Sequence, residues 1–209
     1  MILSVIKYGH PALRQKGVRI EEITPEIKSL VADMLETMHA NKGAGLAAQQ
    51  IGKALQLAVI DVREVKERSS TLELKGKPAD VNDSMPLVLI NPEIKPFGEP
   101  AASSEGCLSF PEIYAEITRP ESTDVKALNQ KGKPIEFHCG GLLARVIQHE
   151  VDHLNGILYI DRMSVATKSE IRPELDELQA KTKAELEAER DGDQTWVLQL
   201  QDRFAEAHD

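Results

Sequence analysis

Apolar residues recur at helical spacing in two stretches of the chain and in short runs elsewhere. Ile27, Leu30, Val31, Met34, Leu35 and Met38 fall three and four apart, which predicts one buried helix face. Thr24-Pro25-Glu26 opens that helix with a capping hydroxyl, a proline at the first helical position and a carboxylate near the positive end of the dipole. It ends near Asn41-Lys42-Gly43. The second stretch runs from Gly140 to Gly156. Projected at about 100° per residue, Leu142, Val146, His149 and His153 form one stripe, and Leu143, Ile147, Glu150 and Leu154 form its neighbour. Arg145, Gln148, Asp152 and Asn155 collect on the far side. So wide an apolar arc predicts a helix buried over more than half its circumference and stopped by Gly156.

Leu55–Val62, Leu87–Pro92, Val125–Leu128 and Ile135–His138 read as strands, the last two around Asn129-Gln130-Lys131-Gly132. Residues 1–23 predict a strand and a loop, with His10 a turn residue before Pro11. The polar stretch 63–85 reads as an exposed loop or a long irregular hairpin. A further polar stretch leads through Ser104 to Glu105-Gly106-Cys107-Leu108-Ser109. Residues 164–190 are rich in Glu and Lys, with Ile171, Leu175, Leu178 and Leu186 as a thin apolar seam, so a mostly solvated helix is expected there. Pro173 marks a kink or a second start. Asp191-Gly192-Asp193 reads as a break before a short terminal helix whose Trp196, Leu200 and Phe204 would cover the body or a second copy of the chain.

Strands separated by turns, with only two strong helices, predict an α+β fold: antiparallel β-sheets packed around the central helix, an N-terminal helix and a C-terminal helical extension. Residues 1–165 then form the body and residues 166–209 a charged helical appendage.

Composition narrows the setting. A hydrophobic fraction of 41% and a charged fraction of 28% over 209 residues are those of an ordinary soluble domain. The N-terminus turns polar too early for a signal peptide and no apolar run is long enough to span a bilayer, so a cytoplasmic protein without a membrane partner is expected. The net charge of −9 argues against direct nucleic-acid specificity. Two cysteines, Cys107 and Cys139, suggest no disulfide framework, and each is read separately, as a ligand or as a small buried side chain.

The chemistry gathers at Gln148-His149-Glu150-Val151-Asp152-His153. Histidines four apart on a helix share a face and can reach one cation, while the glutamate between them sits on the adjacent flank as a base for a polarised water. Its apolar neighbours would raise its pKa. The two-histidine set lacks a third ligand. A short HExxH also occurs by chance on ordinary helices. Gly43-Ala44-Gly45-Leu46-Ala47-Ala48-Gln49-Gln50 is either a tight helix-to-strand connection or a place where backbone meets a ligand closely. A metallopeptidase would need a third ligand beyond His153, and no HExxHxxGxxH extension follows. A structural metal would need four protein ligands.

Three ordered segments, GAGLAAQQ at 43–50, EGCLS at 105–109 and QHEVDH at 148–153, together resemble those of peptide deformylases over roughly residues 1–165. The resemblance implies a hydrolase that removes the formyl group from the N-terminal formyl-methionine of newly made polypeptides and releases formate. It implies Cys107, His149 and His153 as metal ligands, Glu150 as acid/base, Gln50 and the backbone N–H of Leu108 as oxyanion donors, and Gly45 against the peptide backbone. It also implies Fe2+ as the ion, with Zn2+, Ni2+ or Co2+ able to replace it. Leu142 and Val146, continuing the histidine stripe, are either walls for the methionine side chain or plain core; Ala44 and Ile113 are lesser wall candidates. Glu105 and Arg119 would pair behind the Cys107 loop. Formyl-methionyl nascent peptides are the expected partners, and the acidic tail argues against the ribosome contact that a basic C-terminal helix would make.

Overall fold

A computed structural model describes residues 1–206, with side chains described through Arg190. Its architecture is α+β, a sheet of seven strands among the described residues with α2 packed on it. The strands are β1 (Gly45–Ala47), β2 (Leu57–Ile60), β3 (Ser70–Leu74), β4 (Lys77–Pro78), β5 (Leu87–Cys107), β6 (Phe110–Leu128) and β7 (Pro134–Gly140). The helices are α1 (Pro25–Ala40), α2 (Gly141–Leu154), α3 (Val165–Glu170) and α4 (Arg172–Glu206). The sheet order is β1-β2-β5-β6-β7-β3-β4, every neighbouring pair antiparallel.

Both strong helices form where periodicity placed them. Thr24 caps α1, its hydroxyl accepting from the Ile27 N–H, and Val31, Met34 and Met38 bury against Leu46, Leu57 and Val59. On α2, Leu143, Ile147 and Val151 pack with Ile60, Leu89, Val125 and Phe137. The far side of α2 is buried too: Arg145, Gln148 and Asp152 are each under a tenth exposed. They lie in the protein because each is hydrogen-bonded there, Gln148 for instance donating to the Pro120 carbonyl.

Several expectations need correction. The short strands expected at Leu87–Pro92 and Val125–Leu128 are only the ends of two long ones, β5 and β6, which take in the polar stretch before Cys107 and the segment after Ser109. Register shifts between Ile90/Glu93, Phe97/Pro100 and Glu105/Cys107 absorb the prolines and glycines. In β6, Ala115, Ile117 and Arg119 point inward between exposed Glu116 and Thr118; a buried arginine in an inward position obscures the alternation. Residues 1–10 form no strand. The Ile6 N–H donates to the Gln50 carbonyl and the Tyr8 N–H to the Ser109 carbonyl, two different segments, so no continuous ladder forms. Residues 63–85 do form a hairpin, β3–β4, which adds to the β7 edge.

In the tail, Pro173 sits in the first turn of α4 and marks a second start. The helix then continues through Asp191-Gly192-Asp193, so the expected break does not form; one interior glycine costs a helix only about 1 kcal/mol. The seam is not solvated at its beginning: Leu175 is buried, and Ile171 and Leu178 pack with it against Leu13, Phe110 and Tyr159. The Trp196, Leu200 and Phe204 side chains lie outside the described residues. Among the described residues no helix is long and apolar enough to cross a membrane.

Candidate active site

Three elements converge on one point. Strand β5 ends at Cys107, which pairs with Phe110 across the two-residue turn Leu108-Ser109. Helix α2 brings His149 and His153, one turn apart, with ring centroids 4.9 Å apart. The turn after β1, a 3-10 turn over Ala48–Ile51, brings Gln50. The Cys107, His149 and His153 ligand atoms all lie within 4.8 Å of one another, and Cys107 Sγ is 3.3 Å from His153 Nε2.

The donor set fits a divalent transition metal. One thiolate and two imidazoles suit zinc-like or iron-like ions, and no fourth Cys, His, Asp or Glu joins the group among the described residues. His149 Nδ1 donates to Glu105 Oε2 at 3.0 Å, which leaves Nε2 as its ligand atom. Burial and the neighbouring His149 lower the His153 pKa well below the usual histidine value, keeping that imidazole neutral and able to ligate. At His149 burial acts the same way, but hydrogen bonds with Cys107 and Glu105 outweigh it and raise the pKa; a divalent cation competes with that proton.

Glu105 is the hub behind the ligands. Arg119 donates to it through Nε at 2.7 Å and Nη2 at 3.1 Å, and Arg145 Nη1 donates at 2.6 Å. Burial would raise this carboxyl, yet hydrogen bonds from His149 and Arg119 hold it down at about 2. Arg119 also reaches Asp152 at 2.7 Å, and Arg162 closes the chain on Asp152 at 2.6 Å. The Glu105–Arg119 pair expected behind the Cys107 loop is thus one link of a longer network.

Glu150 faces the same cavity from the next stripe. It is 4% exposed, its Oε2 is buried without a hydrogen-bond partner, and burial pushes its carboxyl up to about 7. Gly45 lies so close that a Cβ there would overlap Glu150 Oε1. Gln50 is fixed by the Ala47 N–H, which donates to its Oε1 at 2.8 Å; its Nε2 therefore points at Cys107 Sγ, 3.4 Å away. Leu108 sits in the turn, its carbonyl accepting from Lys7 Nζ at 2.8 Å.

In front of this cluster lies a cleft of about 660 Å³. Ala44, Gly45, Leu142 and Val146 all line it, so the stripe that carries the histidines continues along its wall. Ile113 does not line it. That side chain packs with the Phe110–Tyr159 cluster, while its neighbours Glu112 and Tyr114 face the cleft. Cys139 is remote in role: fully buried on β7, its thiol pushed up to about 12 by burial.

Sequence reasoning missed Arg145, Asp152, Lys7 and the Glu105–His149 hydrogen bond. Arg145 and Asp152, seven residues apart, occupy one helical stripe, and that spacing was the available signal.

The polypeptide deformylase family model matches residues 2–169. A peptide deformylase from Methylacidiphilum infernorum is 48% identical over 178 residues, covering 85% of this chain and 93% of its own. One from Opitutus terrae is 44% identical, covering 88% and 96%. Among solved structures, a Synechococcus elongatus peptide deformylase in complex with actinonin matches with a TM-score of 0.68 at 37% identity, covering 87% of this chain and 86% of its own. A Legionella pneumophila peptide deformylase matches with a TM-score of 0.72 at 34% identity, covering 88% and 98%.

Proposed function

The chain belongs to the polypeptide deformylase family, and from that premise we propose that it hydrolyses the formyl group of N-terminal formyl-methionine on newly synthesised polypeptides through the residues gathered around Cys107. The observation that carries this reading is the convergence of Cys107, His149 and His153 within 4.8 Å, beside a buried carboxyl with an unpaired oxygen.

In this reading Cys107, His149 and His153 hold one divalent ion, Fe2+ by family likeness, with Zn2+, Ni2+ or Co2+ acceptable to the same ligands. When bound, the ion supplies Lewis acidity that lowers the pKa of a water and polarises a carbonyl. The chain's own groups do the rest. Glu150 takes a proton from the water that attacks the formyl carbon, and its raised pKa suits that exchange near neutrality. The carbonyl oxygen gains negative charge as the tetrahedral centre forms. Gln50 Nε2, held in place through Ala47, and the Leu108 N–H in the hairpin turn are the donors for it. Glu150 then passes its proton to the departing nitrogen as the C–N bond breaks, giving formate and a free amine.

The methionine side chain lies along Val146 and Leu142, with Ala44 opposite and Gly45 against the peptide backbone. Residues 1–165 carry this chemistry and residues 166–209 are an extension, a division supported by the family match ending at residue 169. The test is formate release from a formyl-methionyl peptide alongside cleavage of its unformylated counterpart. Formate without chain cleavage is expected. Internal cleavage, or no formate from the metal-loaded protein, overturns the assignment.

A further inference from the structure

Towards the start of α2 the cleft does not end on the protein core. Moving from His149 towards the start of α2, the wall passes Val146 and then Leu142, about 10 Å along the helix axis. Beyond Leu142 opens a second, polar groove of about 500 Å³, and the two spaces share only Arg68, Leu142 and Arg145 in their linings. Leu142 belongs to the helix. The Arg145 guanidinium is committed to Glu105 and to the Ile117 and Ala101 carbonyls. Arg68 alone crosses the gap from a loop, donating through Nη2 to Ser103 Oγ at 2.8 Å and through Nη1 to the Ser104 carbonyl at 3.3 Å.

That loop is fixed at the helix rather than loosely draped. The Leu142 N–H donates to the Ser69 carbonyl at 2.9 Å, the Leu143 N–H to Ser70 Oγ at 3.1 Å, and a Cβ on Gly141 would overlap Ser69. Val65, three residues before Arg68, packs against the core. No carboxylate among the described residues forms an ion pair with Arg68, so its place is set by β5 and not by a charge partner.

We propose that Arg68 is the end wall of the pocket for the substrate's first side chain, and that it sets the longest unbranched apolar side chain the enzyme accepts. This rests on the deformylase reading above. With the guanidinium in place, an apolar chain reaching past Leu142 runs into a charged group that it would have to desolvate or push off Ser103 and the Ser104 carbonyl. Without it, the chain continues into the second groove.

The experiment compares kcat/KM for formate release from two peptides that differ only in the first residue, formyl-methionine or a formyl-amino acid with an n-hexyl side chain. The ratio within one protein cancels any loss of active enzyme. The wild type is expected to prefer methionine by about tenfold or more, the discrimination a close-fitting pocket achieves for extra methylenes. R68A is expected to bring the ratio near unity, and S103A, which removes one anchor and keeps the arginine, to fall between. An R68A ratio equal to the wild-type ratio overturns the proposal, as does a wild type that takes both peptides equally. A wild type that releases no formate from either peptide overturns the deformylase reading itself, and is told apart by that silence.

Discussion

His149 Nδ1 lies 3.0 Å from Glu105 Oε2, and this hydrogen bond ties the helix that carries two of the candidate ligands to the strand that carries the third. Glu105 sits two residues before Cys107, so the carboxylate that orients one imidazole is held by the strand that positions the thiol. Glu105→Gln keeps the shape and removes the charge. Metal affinity is expected to fall on the order of 10–100-fold, read by chelator competition. Because Arg145 also loses its anionic partner and Arg119 one of its two, the melting temperature should drop with it. Unchanged metal retention would show that His149 needs no such orientation.

Gly45 makes room for the Glu150 carboxyl. A methyl group added there overlaps Glu150 Oε1, so the carboxyl must leave its position. Gly45→Ala is expected to cost about 1–3 kcal/mol of stability, as overpacked cores do, and to depress kcat more than metal content. Denaturant titration, metal analysis and turnover on the same preparation separate the three effects. A variant with wild-type turnover would remove the positional constraint on Glu150.

What the sequence made legible follows from periodicity and motif. Helices α1 and α2 and the His149, Glu150 and His153 positions were readable because apolar spacing and HExxH are local signals, whereas Cys107 entered only through the resemblance of EGCLS at 105–109 to a family segment. The length of β5 and β6 was not readable, because Pro96, Gly98 and Pro100 interrupt the alternation where the strand pairing shifts between Phe97 and Pro100. Arg145 and Asp152 were misplaced for a different reason. A charged residue on a helix looks solvated until its partners are known, and here the partners, Glu105 and Arg119, come from strands some 30–40 residues earlier. Long-range pairing of charges leaves no trace in the local pattern.

Away from the metal cluster, Asp61 is expected to shape acid stability. The Arg63 guanidinium pairs with its carboxylate through two nitrogens, and with His39 Nε2 at 3.0 Å it outweighs burial and holds the pKa at about 2, below the ordinary 3.8. A carboxyl depressed in the folded state contributes stability that is fully present above its unfolded pKa. That contribution is lost as pH falls from about 4 through about 2. Asp61→Asn should therefore lower stability at neutral pH and flatten its decline over that window. Parallel wild-type and variant curves of unfolding free energy against pH would show that Asp61 contributes nothing there.

Gln50 offers the sharpest separation of binding from chemistry. Its amide is oriented by an outside constraint, the Ala47 N–H on Oε1, so Nε2 is turned towards the cluster whether or not substrate is present. A donor fixed in advance loses no reorganisation energy when the oxyanion forms, which is the condition under which one such group accelerates turnover by about 10²–10³. Gln50→Ala removes that donor, with it the Nε2 contact to Cys107 Sγ, and keeps Cys107, His149 and His153 themselves. The expected result is a fall in kcat of that order with the full complement of metal and little change in KM. Gln50→Glu, which keeps the size but cannot donate when ionised, should fall at least as far. Near-normal kcat in either variant would place the oxyanion elsewhere, with the Leu108 N–H in the hairpin turn as the remaining donor.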